Sequence, residues 1–178
     1  VSSCVPITCT QKILFESGAD NKDLLARSAP IFFGDLNSIL NRIVILSVCA
    51  ITDPAETQGH KNLTVSFFVQ YGDKIVDIND RSRISALRDG LHAFRQKLLP
   101  ARNKLIGHLD RGAALGKESL GAAPVEDWNS FWSNLRDFLQ ILDKVYIDPD
   151  GLFNIEDIGM ISDADSLLGR LWLADKAR

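Results

Sequence analysis

Apolar residues recur every three or four positions along most of this chain, and strand-like alternation is scarce. Ile84, Leu87, Leu91, Phe94 and Leu98 step by three, four, three and four, the spacing of a packed helical seam. They predict a long helix from about Arg81, capped by Asn79 or Asp80. A second long helix starts at Pro124-Val125-Glu126-Asp127, with acids in its first turn where the helix dipole favours them. It carries Trp128, Phe131, Trp132, Leu135, Phe138, Leu139 and Leu142, and aromatics at helical spacing read as core rather than as a stacking surface. A third begins at Ser28-Ala29-Pro30, since serine caps helices and proline fits their first turn. Both its sides are apolar (Ile39, Ile43, Leu46; Leu36, Leu40, Val44, Val48), which predicts a central position. Thr52-Asp53-Pro54 ends it, because the residue before proline avoids helical backbone.

Shorter helices are expected near Gln11–Phe15, near Asn21–Arg27, and from Asn62 or Thr64 to Val69 after a polar loop ending at Lys61. A final helix opens at the capping-box-like Ser162-Asp163-Ala164-Asp165 and carries Leu167, Leu168, Leu171 and Trp172. Gly112 to Ala123 reads as a flexible connection. Five to seven helices with short links make an all-α helical bundle around a long antiparallel pair. The reading is one domain over 1–178, with 1–20 as a peripheral extension.

Composition fits a folded globular chain: 178 residues, 46% hydrophobic and 24% charged. The longest apolar stretch, Ile43 to Ile51 interrupted at Ser47, is shorter than the roughly 20 residues of a membrane span, so no membrane partner is expected. Three cysteines, Cys4, Cys9 and Cys49, make neither a disulfide framework nor a zinc site, and a cytoplasmic setting is expected. His60, His92 and His108 are too scattered for a metal site, and no phosphate loop, nucleophile elbow or HExxH occurs, so no metal and no cofactor is expected.

Charge changes the picture more. The net charge of −3 argues against general nucleic-acid binding, yet residues 81–111 hold eight Lys/Arg against two Asp. An acidic block lies at 118–165, with eleven acids against Arg136 and Lys144. Such blocks are either two faces attracting each other or a local polyanion surface.

The basic stretch contains Arg102-Asn103-Lys104-Leu105-Ile106-Gly107-His108. Carried past Pro100, the seam's phase lands on Ala101, Leu105 and His108, and Arg81, Arg88, Arg95 and Arg102 recur every seven residues beside it. Pro100 kinks this helix or starts a new one, and either would shift the phase. On an ideal straight helix Arg102 and His108 differ by about 240° and about 9 Å, so they do not converge on one atom. They converge if the helix kinks, or if two copies pack seam to seam and the site is composite. An imidazole can take a proton from a ribose 2′-hydroxyl or give one to a leaving 5′-oxygen. A guanidinium can hold the phosphate and stabilise its developing charge. A seam histidine also serves as a hydrogen-bonded core residue, and a flanking arginine can lie over apolar surface.

The string Arg102 to Asp110 resembles the Arg-x(4–6)-His motif of HEPN domains. Ser28-Ala29-Pro30-Ile31-Phe32-Phe33, then Ile51-Thr52-Asp53-Pro54 through Lys61-Asn62-Leu63-Thr64, occur in order before it and resemble the abortive-infection U-type branch. The resemblance implies a HEPN-like helical bundle, a homodimer, and a metal-independent endoribonuclease or RNA-binding toxin of a phage-defence or toxin–antitoxin system. It implies catalytic roles for Arg102 and His108 with Asn103 in support, and RNA as the partner, alongside an antitoxin protein. Lys104, Arg95 and Arg111 are the accompanying RNA-binding candidates. Two alternatives stay open: a non-catalytic HEPN module binding nucleotide, RNA or protein, and a purely structural dimerisation domain.

Overall fold

The computed structural model describes residues 6–75, 77–103, 123–150 and 158–177. Among them are seven helices and one short ribbon: α1 (Pro6–Phe15), α2 (Ala19–Ser28), α3 (Pro30–Ile51), β1 (Glu56–Thr57), β2 (His60–Lys61), α4 (Val65–Tyr71), α5 (Ile78–Ala101), α6 (Val125–Tyr146) and α7 (Ile158–Lys176). The fold is all-α, as the periodicity predicts. The chain divides into two compact units, one built on residues 45–154 and one on 4–44 with 155–178.

The first unit is organised by α5 and α6. Arg83 pairs with Asp137 and Lys97 with Asp127, so residue numbers rise along one helix as they fall along the other, and the pair is antiparallel. The α5 seam is filled from within the chain: Ile84, Leu91, Phe94 and Leu98 are buried, as are Phe131, Trp132, Leu135, Phe138, Ile141 and Leu142 of α6. Phe94 packs its ring 4.8 Å from both Trp128 and Phe131. The aromatic helix is therefore core. Gly90 permits the close approach, since a Cβ there would meet the Asn134 side-chain amide at 2.8 Å. The Arg83–Asp137 and Lys97–Asp127 bridges, 3.1 and 2.6 Å long, join the basic block to the acidic one. Both are largely solvated, so each adds at most about 1 kcal/mol and serves mainly to fix register.

Local chemistry sets the boundaries. Asp77, not Asn79 or Asp80, caps α5, its carboxylate accepting from the N–H groups of both those residues at 2.7 and 3.2 Å. Thr64 caps α4, while Asn62 instead closes the preceding loop by donating to the Pro54 carbonyl and the Thr57 hydroxyl. That loop, expected to be irregular, is a hairpin of two-residue strands, with Gln58 and Gly59 both at positive φ as its tight turn requires. Pro100 does not stop α5. The helix continues to Ala101, and at Arg102 and Asn103 the winding widens to a π turn. Proline's missing N–H removes the α-type bond to the Gln96 carbonyl, and the Arg102 N–H is shared between the Leu98 and Leu99 carbonyls, one α-type and one 3-10-type bond.

In the second unit α1, α2, α7 and the first part of α3 enclose Leu14, Leu24, Leu25, Phe33, Ala164 and Leu168. The Trp172 indole N–H donates to Asn21 at 3.0 Å and Arg27 pairs with Asp175 at 2.9 Å. Helix α7 begins at Ile158, so Ser162 lies inside it and is not its cap. Ala29 alone separates α2 from α3, and Pro30 is the first residue of α3.

Helix α3 departs from the expected central position. Phe33, Val44, Val48 and Cys49 are buried, but Ile31, Phe32, Ile39, Ile43 and Leu46 are exposed. Periodicity reveals two apolar faces; burial claims one of them. At 22 residues with a mean hydropathy of 1.5 over its most apolar window, α3 is long and apolar enough to cross a membrane, a property the unbroken apolar run alone does not reveal. Its buried residues and its Asp35, Asn37, Asn41 and Arg42 are equally those of a protein-packed helix.

Candidate functional site

The arginines at 88, 95 and 102 rise along one side of α5, and the end of α3 faces the middle of this column. Thr52, fully buried, turns its hydroxyl back onto the Val48 carbonyl at 2.5 Å and ends the helix within the core. Asp53 follows directly and receives the Arg95 guanidinium at 2.5 Å. The two side chains are 15% and 31% exposed, for Arg95 and Asp53 respectively, which makes this the most enclosed ion pair among the described residues.

Around that pair lie Cys49 and His92. Burial raises the Cys49 thiol pKa, opposed by the nearby Arg95 and Arg102 guanidinium charges. The thiol is therefore protonated at neutral pH and acts as a small apolar group. Burial likewise lowers the His92 pKa from its usual 6.5, assisted by Arg88 and Arg95 and opposed by Asp89 and Asp53. Its Nε2 lies 2.9 Å from the Ser66 hydroxyl, so a neutral imidazole links α5 to α4. Two arginine Nε groups in the column, on Arg88 and Arg95, are buried without a hydrogen-bond partner among the described residues. Asp89 lies 2.7 Å from Arg88 Nε but outside hydrogen-bonding geometry, so the contact is ionic only.

Arg102 ends the column. Its side chain donates to Asn103 Oδ1 at 2.9 Å, and it has no carboxylate partner among the described residues. Arg83, Lys97, Arg88 and Arg95 all have acidic neighbours. Among the described residues, the basic side chains of α5 are thus largely paired with acids, and Arg102 at its end is not.

A family model described as AbiU2, of the HEPN group, matches residues 9–148. The chain belongs to the HEPN AbiU2 family. No curated protein and no solved structure matches it. For an AbiU2 chain the expected motif starts where the described part of α5 ends. Arg102 and Asn103 are brought together there, with Arg95 two turns earlier. His108, Lys104 and Arg111 lie outside the described residues, as does the stretch 112–122 of the expected connection. Arg95, expected to meet RNA, is engaged with Asp53 and mostly covered.

Sequence reasoning did not single out Asp53, His92 or Cys49. The signal for Asp53 was its place in the Ile51-Thr52-Asp53-Pro54 segment, one of the three ordered pieces. His92 and Cys49 carried no such signal. Among the described residues no three His, Cys, Asp or Glu side chains gather as metal ligands would.

Proposed function

We propose that this AbiU2 chain is a HEPN-type, metal-independent endoribonuclease acting as a growth-arrest toxin in phage defence, cytoplasmic, with its site shared between two copies. The observation that carries the reading is Arg102: a guanidinium at the end of an otherwise neutralised arginine column, held by Asn103, at the head of an Arg-x(5)-His motif in a HEPN family member.

The chemistry is internal transesterification. The Arg102 guanidinium grips the non-bridging oxygens of the scissile phosphate. His108 accepts the ribose 2′-hydroxyl proton as the 2′-oxygen attacks phosphorus. The bond to the 5′-oxygen breaks, and that oxygen takes a proton, leaving a 2′,3′-cyclic phosphate and a free 5′-hydroxyl. A homodimer carries two copies of His108, so one can accept a proton while the other donates. Lys104 and Arg111 would extend the grip along the RNA. The α5 seam cannot bring the copies together, because α6 already fills it, so the copies must meet through another surface.

The test is incubation of the purified chain with total RNA in EDTA. Cleavage to 2′,3′-cyclic ends, lost in His108→Ala and in Arg102→Ala, is the expected result. Salt-sensitive RNA binding with no cleavage would replace the enzyme by a binding module. Full cleavage by His108→Ala would remove the motif from the reaction altogether.

A further inference from the structure

We propose that Asp53 decides which arginine of the α5 column receives the RNA phosphate: by holding Arg95 it withholds that cation from the RNA backbone and leaves Arg102 to take it. The proposal rests on the reading of this chain as an RNA-cleaving protein, and it adds a residue that lies outside the Arg-x(5)-His motif.

Asp53 is built into its position. Thr52 before it is fully buried, with its hydroxyl on the Val48 carbonyl. The Asp53 N–H donates to the Ala50 carbonyl at 3.3 Å, so the chain tightens as it leaves α3. Asn62 braces the residues that follow: its side chain donates to the Pro54 carbonyl at 3.0 Å and its N–H to the Ala55 carbonyl at 2.8 Å. The carboxylate therefore sits on a fixed backbone and not on a loose loop tip. Of the two paired side chains, Arg95 is the more enclosed and Asp53 the more open to solvent.

Arg88, Arg95 and Arg102 are seven residues apart, so they lie on one side of α5 at intervals of about 10 Å. The last two bear on one spot: both guanidinium charges, and the Asp53 carboxylate, act on the Cys49 thiol near the end of α3. A phosphate arriving there meets two cations and is drawn to the one with the larger unneutralised charge. With Asp53 ionised, Arg95 carries its own counter-charge. Arg102 is then the stronger attractor, because among the described residues it meets Asn103 and no carboxylate. Arg88 is likewise met by Asp89. With Asp53 neutral, Arg95 becomes an attractor seven residues before Arg102, on the side away from the rest of the motif. RNA drawn there binds more tightly but out of register with Arg102. Asp53 thus confers selectivity by cancelling a wrong contact, where Arg102 confers it by making the right one.

The experiment compares wild type, Asp53→Asn, Asp53→Glu and Asp53→Asn/Arg95→Gln as full chains, at a temperature where circular dichroism shows each folded. Binding of a fluorescein-labelled, random-sequence single-stranded RNA is followed by anisotropy against salt, with His108→Ala added to every chain so that the RNA stays whole. Each phosphate contact on a single strand steepens the plot of log K against log salt by about 0.7, which is about fivefold in affinity at about 0.1 M salt. Asp53→Asn is expected to gain one such contact. In cleavage of the same RNA with His108 intact, kcat and KM of Asp53→Asn are expected to fall together by about fivefold, because most bound RNA is then held out of register. Their ratio is expected to hold, since kcat/KM is measured from free chain and free RNA and still reflects Arg102. Asp53→Glu keeps the charge and is expected to bind as wild type does. The double variant removes both charges and keeps an amide pair, and is expected to recover the wild-type slope, kcat and KM. An Asp53→Asn slope equal to that of wild type, or a fall in kcat/KM that Arg95→Gln does not repair, would overturn the proposal. So would a double variant with a slope shallower than wild type by about 0.7, which would put Arg95 on the RNA from the start and is readable even if Asp53→Asn alone does not fold. Cleavage by wild type with unaltered slopes would sink the selection and leave the ribonuclease reading standing. The expected change of slope with no cleavage by any chain would do the reverse, and absence of RNA binding by wild type would remove both.

Discussion

Replacing Asp53 by Asn tests the pair at the centre of the arginine column. The substitution keeps shape and volume while removing the charge that Arg95 meets at 2.5 Å. A solvated ion pair contributes at most about 1 kcal/mol, and removing one member of a fully buried pair costs about 3–5 kcal/mol. The pair lies between these limits, with Arg95 15% and Asp53 31% exposed. Arg95 Nε has no partner among the described residues, so little compensates the lost contact. The expected loss is therefore about 2 kcal/mol, or roughly 6 °C in Tm for a chain of this length. Urea denaturation should show a lower midpoint with an unchanged slope. A cycle with Arg95→Ala and the double variant separates pairing from burial, and the coupling should reach about 1 kcal/mol or more. Loss of under about 0.5 kcal/mol in Asp53→Asn, or additivity of the two single changes, would show that the two side chains do not depend on each other.

Three further outcomes are expected. Because the folded protein holds the His92 pKa below 6.5, the unfolded chain takes up a proton first as pH falls. The stability His92 contributes is complete above its unfolded pKa and is lost as pH drops towards the folded one; Tm followed from pH 7.5 to 5.0 should fall less steeply in His92→Gln than in wild type. Phe131→Ala, at a side chain 1% exposed, should cost about 3–5 kcal/mol in chemical denaturation. Gly90→Ala alone should be nearly neutral, because the gain in helix propensity is offset by the displaced Asn134 amide, whereas Gly90→Ala with Asn134→Ala should gain about 1 kcal/mol over Asn134→Ala alone.

Helix phase was legible because burial of a long helix leaves a strict spacing, as from Ile84 to Leu98 and from Phe131 to Leu142. Helix ends were less so. Asp77, Asn79 and Asp80 are all good caps by chemistry, and only the backbone decides among them. Two-residue strands are too short to show alternation, so Glu56 to Lys61 could not declare itself a hairpin. Pro100 did not end α5, because one missing donor can be absorbed within a helix, and the phase carried on to Leu105 and His108 lies outside the described residues. Which of the two apolar faces of α3 would be covered depended on the other helices and not on its own pattern. The Arg102–Asn103 end of the site was readable as a local string, but the Asp53–Arg95 pairing spans 42 residues and exists only once the helices pack.

The unit formed by 4–44 and 155–178 is assembled from the two ends of this sequence, while the unit at 45–154 is contiguous. During synthesis, then, the contiguous unit can close first. Leu14, Leu24, Leu25 and Phe33 must wait for Ala164 and Leu168 to leave the ribosome before their core is complete. Contacts so distant in sequence form late and slowly. Until then the first three helices are apolar surfaces without a roof, open to chaperones and proteases. Helix α7 closes this core, so shortening it is expected to lower the yield of folded protein before it touches any site chemistry.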